Sequence, residues 1–133
     1  MSEAVVDTNV LIFDIFEDSE FHREASNGLD ISEKWIVPSI VFHELIWFFR
    51  SKQIPIVRAN SKIKEYLTNA KTIFLTCTAD DVLFSISRVN NYGIYDDYVI
   101  LSIAKRLDLP LFTFDNDLKK AATKFNVPIF RSQ

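Results

Sequence analysis

The segment Ala4-Val5-Val6-Asp7, which continues as Thr8-Asn9-Val10-Leu11, contains the pattern on which the predicted fold depends. Three apolar residues end at an aspartate, and apolar residues then follow on one side of a helical pattern. We expect a short buried strand that passes at once into a helix. Because short apolar segments followed by helices recur along the chain, this pattern predicts an α/β fold.

Four more apolar segments are predicted to form strands, and they lie at residues 34–37, 73–75, 110–114 and 127–130. The predicted helices cover about 39–52, 56–69, 78–88, 97–107 and 115–124. Short strands that alternate with helices favour a parallel sheet covered on both faces. We therefore predict one domain over residues 1–133, a three-layer α/β/α sandwich with a central, mainly parallel sheet of four to five strands.

The composition of the 133 residues excludes several classes of protein. Apolar residues make up 48% and charged residues 25%, as in an ordinary globular domain. The single cysteine, Cys77, cannot form an internal disulfide. There is no apolar run of the ~18–20 residues that a membrane span needs, and the chain starts without the basic region of a secretory signal. We expect a cytoplasmic protein that does not enter a membrane.

Charge is unevenly distributed along the chain, whose net charge is −3. The first 33 residues carry nine acids and one base, whereas the remainder carries 14 bases and nine acids. Residues 50–71 contain six bases and a single acid, Glu65. This basic segment is either the solvated face of a helix or a surface that holds a polyanion.

Four carboxylates are placed where a parallel sheet of this kind binds ligands, which is at the carboxyl ends of its strands. Asp7 and Asp115 directly follow predicted strands, and Asp97 begins a helix whose next apolar residues face the sheet. Glu44 lies one turn into its helix among apolar residues, where an acid is costly unless it is paired or binds a cation.

These four carboxylates would repel one another in a common crevice, and a divalent cation would neutralise them. Hard oxygen ligands suit Mg²⁺ or Mn²⁺. Such an ion can polarise a phosphate and activate a water for attack on a phosphodiester. Asp96 and Asp117 lie next to this set and are auxiliary candidates.

Each acid also has a purely structural interpretation. Asp7 and Asp115 could be helix N-caps, Asp97 could be an acid favoured in the first turn of its helix, and Glu44 could be exposed. The two histidines, His22 and His43, could bind metal, but isolated histidines are more often surface or core residues. The sequence has no glycine-rich phosphate loop and no CxxC pair.

Four segments resemble the PIN-domain ribonucleases and, among them, the VapC-type toxins of prokaryotic toxin–antitoxin pairs. They are Val5 to Leu11, similar to the family's first strand and D-T-N/S motif, Val37 to Leu45 with its glutamate, Tyr95 to Leu111, and the closing Phe112-Thr113-Phe114-Asp115-Asn116-Asp117. In the third segment, the family keeps a fixed spacing between its acid and a later proline. Counting back from Pro110 by that spacing selects Asp97 rather than Asp96. The sequence departs from the family pattern at Asp108, where the family has glycine, and at the aromatic Tyr98.

The resemblance implies that Asp7, Glu44, Asp97 and Asp115 are the catalytic and metal-binding residues, with Asn9 and Thr113 as hydrogen-bonding residues beside them. It also implies Mg²⁺- or Mn²⁺-dependent cleavage of RNA, a homodimer, and a VapB-like antitoxin that covers the groove. The family's region corresponding to residues 50–71 is variable, so the choice of RNA does not transfer.

Two other functions are compatible with parts of the sequence. A catalytically silent PIN-fold binding module could use the aromatic residues Trp47, Phe48 and Phe49, with Trp35 and Phe42 nearby, as a partner surface, unless they belong to the core. A phosphoacceptor receiver domain would also be a small α/β protein with an acidic pocket. It would need paired acids after the first strand, where Asp7 is followed instead by Thr8 and Asn9.

Overall fold

A computed structural model describes residues 2–131 of the chain. Its strands are β1 (Glu3–Val6), β2 (Lys34–Pro38), β3 (Thr72–Leu75) and β4 (Leu111–Phe112). Its helices are α1 (Thr8–Ile15), α2 (His22–Ile31), α3 (Ser39–Ser51), α4 (Ile56–Thr68), α5 (Ala79–Ile86), α6 (Tyr95–Leu107) and α7 (Asn116–Lys124), with a 3₁₀ turn at Tyr92–Ile94. Because residues 1, 132 and 133 lie outside this description, a single domain over 1–133 stays a prediction.

The four strands form one parallel sheet in the order β3-β2-β1-β4. β1 is central, and its Val5 pairs with Ile36 of β2 on one side and with Leu111 of β4 on the other. The chain therefore steps from β1 to β2 to β3 in one direction and then returns across the sheet to β4 on the far side of β1. The direction in which successive strands are added therefore reverses at the boundary between β1 and β4.

The reversal places helices on both faces of the sheet. Right-handed crossovers put the helices between β1 and β3 on one face and those between β3 and β4 on the other. In agreement, α1 packs against α2 and α3, whereas α6 packs against α5 and α7. The predicted α/β/α sandwich is confirmed. In the part of the chain that the structure describes, no helix is both long and apolar enough to span a membrane.

The last two predicted strands are shorter than the apolar pattern indicates. β4 ends at Phe112, because the next N–H groups bond to side chains: the N–H of Phe114 donates to Asn9 Oδ1 and that of Asp115 to Thr113 Oγ1. The prediction of a strand at 127–130 is wrong, since only an isolated bridge joins Ile129 to Leu111. Pro128 has no N–H to extend that pairing.

Helix α2 was not predicted, because few large apolar residues mark its buried side. Its buried side is small, formed by Ala25, Gly28 and Leu29, and an internal glycine lowers helix propensity. Tertiary contacts stabilise it instead. Its last carbonyl groups accept hydrogen bonds from Trp35 Nε1, at 2.9 Å on Leu29, and from Lys71 Nζ, at 2.8 Å on Asp30.

Candidate active site

A pocket of about 540 Å³ opens at the carboxyl ends of β1 and β4. These two neighbouring strands are the point at which the strand order reverses, and open α/β sheets bind ligands in the crevice at such a point. Asp7 follows β1 and remains attached to the sheet, because its N–H donates to the carbonyl of Phe112 at 3.0 Å. Asp115 enters the same pocket three residues after β4 ends.

Six of the eight residues selected from the sequence line this cavity, which we call the acidic pocket: Asp7, Asn9, Glu44, Asp96, Asp97 and Asp115. The remaining wall is formed by Thr8, Ile12, Trp47 and Phe48. The other two selected residues do not line it. Thr113 is buried behind Asp7, and Asp117 lines a neighbouring cavity together with Asp97.

Thr113 connects the two acids that follow β1 and β4. Its hydroxyl donates to Asp7 Oδ2 at 2.7 Å and accepts from the N–H of Asp115 at 3.1 Å. Asn9 reaches the same hydroxyl with its amide nitrogen, at 3.3 Å, while its amide oxygen accepts from Phe114. These hydrogen bonds of Asn9 and Thr113 hold the start of α1 against the end of β4.

Thr8 is a pocket residue that the sequence analysis missed. Its hydroxyl donates to Oε1 of Glu44, which lies 36 residues further along the chain, and its N–H donates to Asp7 Oδ1 at 2.7 Å. One residue therefore orients two of the four carboxylates. A hydroxyl directly after Asp7 was the available signal, but its partner depends on how α1 packs against α3.

The N-cap interpretation of Asp7 and Asp115 is correct, and it does not compete with a role in the pocket. Asp7 caps α1 through the N–H of Thr8. Asp115 caps α7 through Oδ1, which accepts hydrogen bonds from the backbone N–H groups of Asp117 at 2.9 Å and Leu118 at 3.3 Å. Since helix N-termini favour negative charge, each cap places its carboxylate where the helix dipole attracts it.

Burial and mutual repulsion dominate the electrostatics of the acidic pocket. Burial raises the pKa of Asp7, although hydrogen bonds from Thr113 and Thr8 oppose this shift. Burial raises the pKa of Asp97 to about 7, and the surrounding carboxylates add to the shift. The pKa of Glu44 is also raised to about 7, mainly by burial. Repulsion from neighbouring acids adds to this rise, whereas the hydrogen bond from Thr8 opposes it.

These carboxylates are chemically suited to a divalent cation. All donors in the set are oxygens, as Mg²⁺ and Mn²⁺ prefer. The charged groups that shift the pKa values of Asp7, Glu44 and Asp97 are all carboxylates, and none of them is a basic side chain. Among residues 2–131, however, no three His, Cys, Asp or Glu side chains already converge into a metal-binding group. The donor set therefore fits such an ion, and its side chains would have to draw together to bind it.

The two histidines do not contribute to this pocket. His43 is exposed, and Nδ1 of His22 lies 2.9 Å from the carbonyl oxygen of Phe13. The aromatic residues considered as a partner surface divide into two groups. Trp35, Phe42 and Phe49 are buried in the core, whereas Trp47, which is 61% exposed, and the half-buried Phe48 line the pocket.

The fold and the pocket define a member of the PIN-domain family. The model of that family matches residues 4–124, and the chain belongs to it. The predicted family resemblance is therefore confirmed. No curated protein sequence matches the chain.

Solved structures of toxins share this fold. The Mycobacterium tuberculosis toxin VapC20, which cleaves the sarcin–ricin loop, is similar with a TM-score of 0.73 and 16% identity, over 90% of this chain and 95% of that one. VapBC2 from Rickettsia felis, bound to promoter DNA, is similar with a TM-score of 0.69 and 17% identity, over 96% of both chains. A toxin–antitoxin complex from Klebsiella pneumoniae is similar with a TM-score of 0.62 and 22% identity, over 84% of this chain and 86% of that one. At these identities the likeness concerns the fold.

Proposed function

We propose that the protein is a metal-dependent endoribonuclease that hydrolyses RNA phosphodiester bonds, and that it is the toxin of a VapBC-type pair. The observation that carries this proposal is that Asp7, Glu44, Asp97 and Asp115 all line one pocket at the β1–β4 junction. Membership of the PIN-domain family supports it, as does the fold shared with VapC20, a toxin that cleaves RNA in the sarcin–ricin loop.

Asp7, Glu44, Asp97 and Asp115 would hold Mg²⁺ or Mn²⁺. Asp96, which lines the same pocket, and Asp117, which lines the neighbouring cavity with Asp97, would be auxiliary residues. When bound, the ion supplies positive charge for the phosphate and lowers the pKa of a water molecule. Thr113 keeps Asp7 oriented and Thr8 keeps Glu44 oriented through the hydrogen bonds described above. Residues of the basic segment 50–71 would position the phosphates of the RNA.

The proposed partners follow from the same comparison. VapBC2 and the Klebsiella complex are toxin–antitoxin assemblies, and they support a VapB-like antitoxin that covers the acidic pocket of this chain.

We further propose a cytoplasmic homodimer. Support for a dimer comes from α5, which exposes three apolar side chains, Val82, Leu83 and Ile86. Light scattering of the purified chain, with and without an L83D substitution, tests the dimer.

The nuclease proposal is tested by measuring cleavage of a labelled RNA with and without Mg²⁺ or Mn²⁺. We expect cleavage only with the ion, and we expect D7N to lower kcat/KM by at least about 100-fold, since even residues that merely orient metal ligands contribute 10- to 100-fold. The matched control is D30N, which neutralises an exposed aspartate on α2. Equal cleavage by D7N and the wild type would contradict the role of Asp7.

This experiment also decides between the nuclease and the silent binding module. A silent module would bind RNA or a protein without cutting RNA at any metal concentration. The receiver-domain alternative is wrong, because the chain belongs to the PIN-domain family.

A further inference from the structure

A second cavity, of about 400 Å³, lies beside the acidic pocket between the end of α3 and the start of α4. We call it the side cavity, and the residues that matter for its chemistry are Trp47, Arg50, Gln53 and Ile56. Trp47 lines both cavities. The volume of the side cavity lies in the range of small-molecule sites, and its apolar walls carry two polar side chains that could fix the orientation of a ligand.

Trp47 is positioned as a surface on which a flat group could stack. It lies three residues after Glu44 on α3, so the two side chains are neighbours on the helix, with Cβ atoms ~5–6 Å apart. The indole is 61% exposed, although Trp35, the other tryptophan, is 7% exposed. The guanidinium of Arg50 lies over the Trp47 ring, 5.6 Å from its centre, so a positive charge adjoins this exposed aromatic surface.

The charges around the side cavity favour a polyanionic ligand. Arg50 lines the cavity, and three exposed bases, Lys52, Arg58 and Lys64, lie on the same α3–α4 unit. After Glu44, the only acid on α3 and α4 is Glu65, and it forms a salt bridge with Lys62 at 3.3 Å. This excess of basic charge on α3 and α4 favours a polyanion such as the phosphate backbone of RNA.

We propose that the side cavity binds one unpaired nucleobase of the RNA, next to the bond that is cleaved, with the Trp47 indole as its stacking surface. This proposal rests on the proposed function and specifies its substrate as RNA with an unpaired, unstacked base at that position. Proteins recognise such bases by stacking on aromatic rings and guanidinium planes. The Arg50 guanidinium and the Gln53 amide supply hydrogen-bonding groups of the kind that read base edges.

Binding is tested by tryptophan fluorescence in the D7N background with Mg²⁺, so that the RNA stays intact. The probes are a single-stranded RNA hexamer of mixed sequence and the same backbone with abasic sites. We expect the intact hexamer to quench the fluorescence and to bind roughly tenfold more tightly than the abasic one, a factor within the range of stacking one base. Quenching should disappear in D7N/W47F, which retains only the buried Trp35.

Cleavage by otherwise wild-type enzyme gives a second readout. We expect W47A to raise KM about tenfold and to change kcat by less than about twofold, whereas W47F, which keeps an aromatic ring, should retain most of the affinity. The matched control is I31A, which removes a 48% exposed apolar side chain on α2 that lines neither cavity. Circular dichroism confirms that each variant is folded.

The outcomes separate this inference from the nuclease proposal. If the wild type cleaves RNA while W47A keeps the wild-type KM, and intact and abasic RNA bind equally, the base site is overturned and the nuclease proposal stands. Quenching specific to the intact hexamer in a chain that never cleaves RNA would support the base site and overturn the nuclease. Absence of quenching overturns the base site whatever the cleavage result.

Discussion

A single hydroxyl group, on Thr113, holds together three parts of the acidic pocket. It donates to Asp7, and it accepts from the amide of Asn9 and the backbone of Asp115. We predict that T113V lowers kcat/KM for RNA by about 10- to 100-fold, the usual effect of removing a group that orients a metal ligand. T113S keeps the hydroxyl and should stay within about threefold of the wild type on the same scale. Steady-state kinetics of both variants is the measurement, and equal losses would contradict a role for the hydroxyl.

Glu44 and Asp97 should make divalent-cation binding depend on pH. Burial raises the pKa of each to about 7, and neighbouring carboxylates add to it, so below pH 7 both carry protons that compete with the ion. We predict that the affinity for Mg²⁺ or Mn²⁺ rises between pH 6 and 8 and that binding near pH 7 releases protons. Titration calorimetry in buffers of different ionisation enthalpy counts those protons. An affinity that does not change between pH 6 and 8 would contradict the prediction.

Among the elements, α6 has a C-terminus that its sequence does not favour. Its C-cap, Asp108, adopts a left-handed conformation with φ of 55°, and family resemblance places a glycine at this position. Glycine adopts this conformation without steric cost, although it also gains entropy in the unfolded chain. We predict that D108G raises the free energy of unfolding by up to about 1 kcal/mol.

Chemical denaturation of D108G and D108A measures this effect. D108A should lower stability by about 1 kcal/mol, because alanine has the Cβ that disfavours left-handed backbone and lacks the polar side chain that tolerates it. Asp108 is exposed, so neither substitution disturbs the core. Equal stability of the two variants would show that the cap conformation does not determine the end of α6.

In the whole molecule, an ion pair between the buried Asp81 and the partly exposed Arg106 connects α5 to α6, the helix that carries Asp96 and Asp97. Asp81 is fully buried and caps α5 through Thr78, and its carboxylate accepts from Ser102 at 2.7 Å and from Nε of Arg106 at 3.1 Å. We predict that D81N lowers the free energy of unfolding by about 2 kcal/mol at pH 7, because the hydrogen bonds that the charged carboxylate accepts are weakened or lost. E65Q, at the exposed pair with Lys62, should cost less than about 0.5 kcal/mol.

The contribution of Asp81 should depend on pH. Burial tends to raise the pKa of Asp81, but hydrogen bonds from Arg106, Thr78 and Ser102 outweigh it and hold the pKa below its ordinary value of 3.8. The stabilisation is therefore fully present above about pH 5 and is lost as the pH falls through and below 4. Denaturation of the wild type and D81N from pH 7 to 3 should show a difference that shrinks with acidification. A constant difference would contradict the prediction.

Much of the fold could be predicted because its elements follow local patterns. The apolar segments that became β1 to β3, the helical spacing of α3 and α6, and the capping box of α5 are properties of neighbouring residues. The weak points were α2, which depends on hydrogen bonds from Trp35 and Lys71, and the ends of β4, where N–H groups bond to Asn9 and Thr113. Those partners lie far away in sequence, so no local pattern contains them.

The amino-acid order alone identified the acids, because Asp7 and Asp115 end apolar segments and Glu44 interrupts an apolar helix face. Their meeting was decided by the strand order β3-β2-β1-β4, which brings residues more than 100 positions apart to one junction. Packing of α1 against α3 likewise decided that Thr8 bonds to Glu44, and packing decided that Trp47 is exposed while Phe49 is buried. Periodicity specifies which side of an element is apolar, but contacts between elements depend on how the whole chain closes its core.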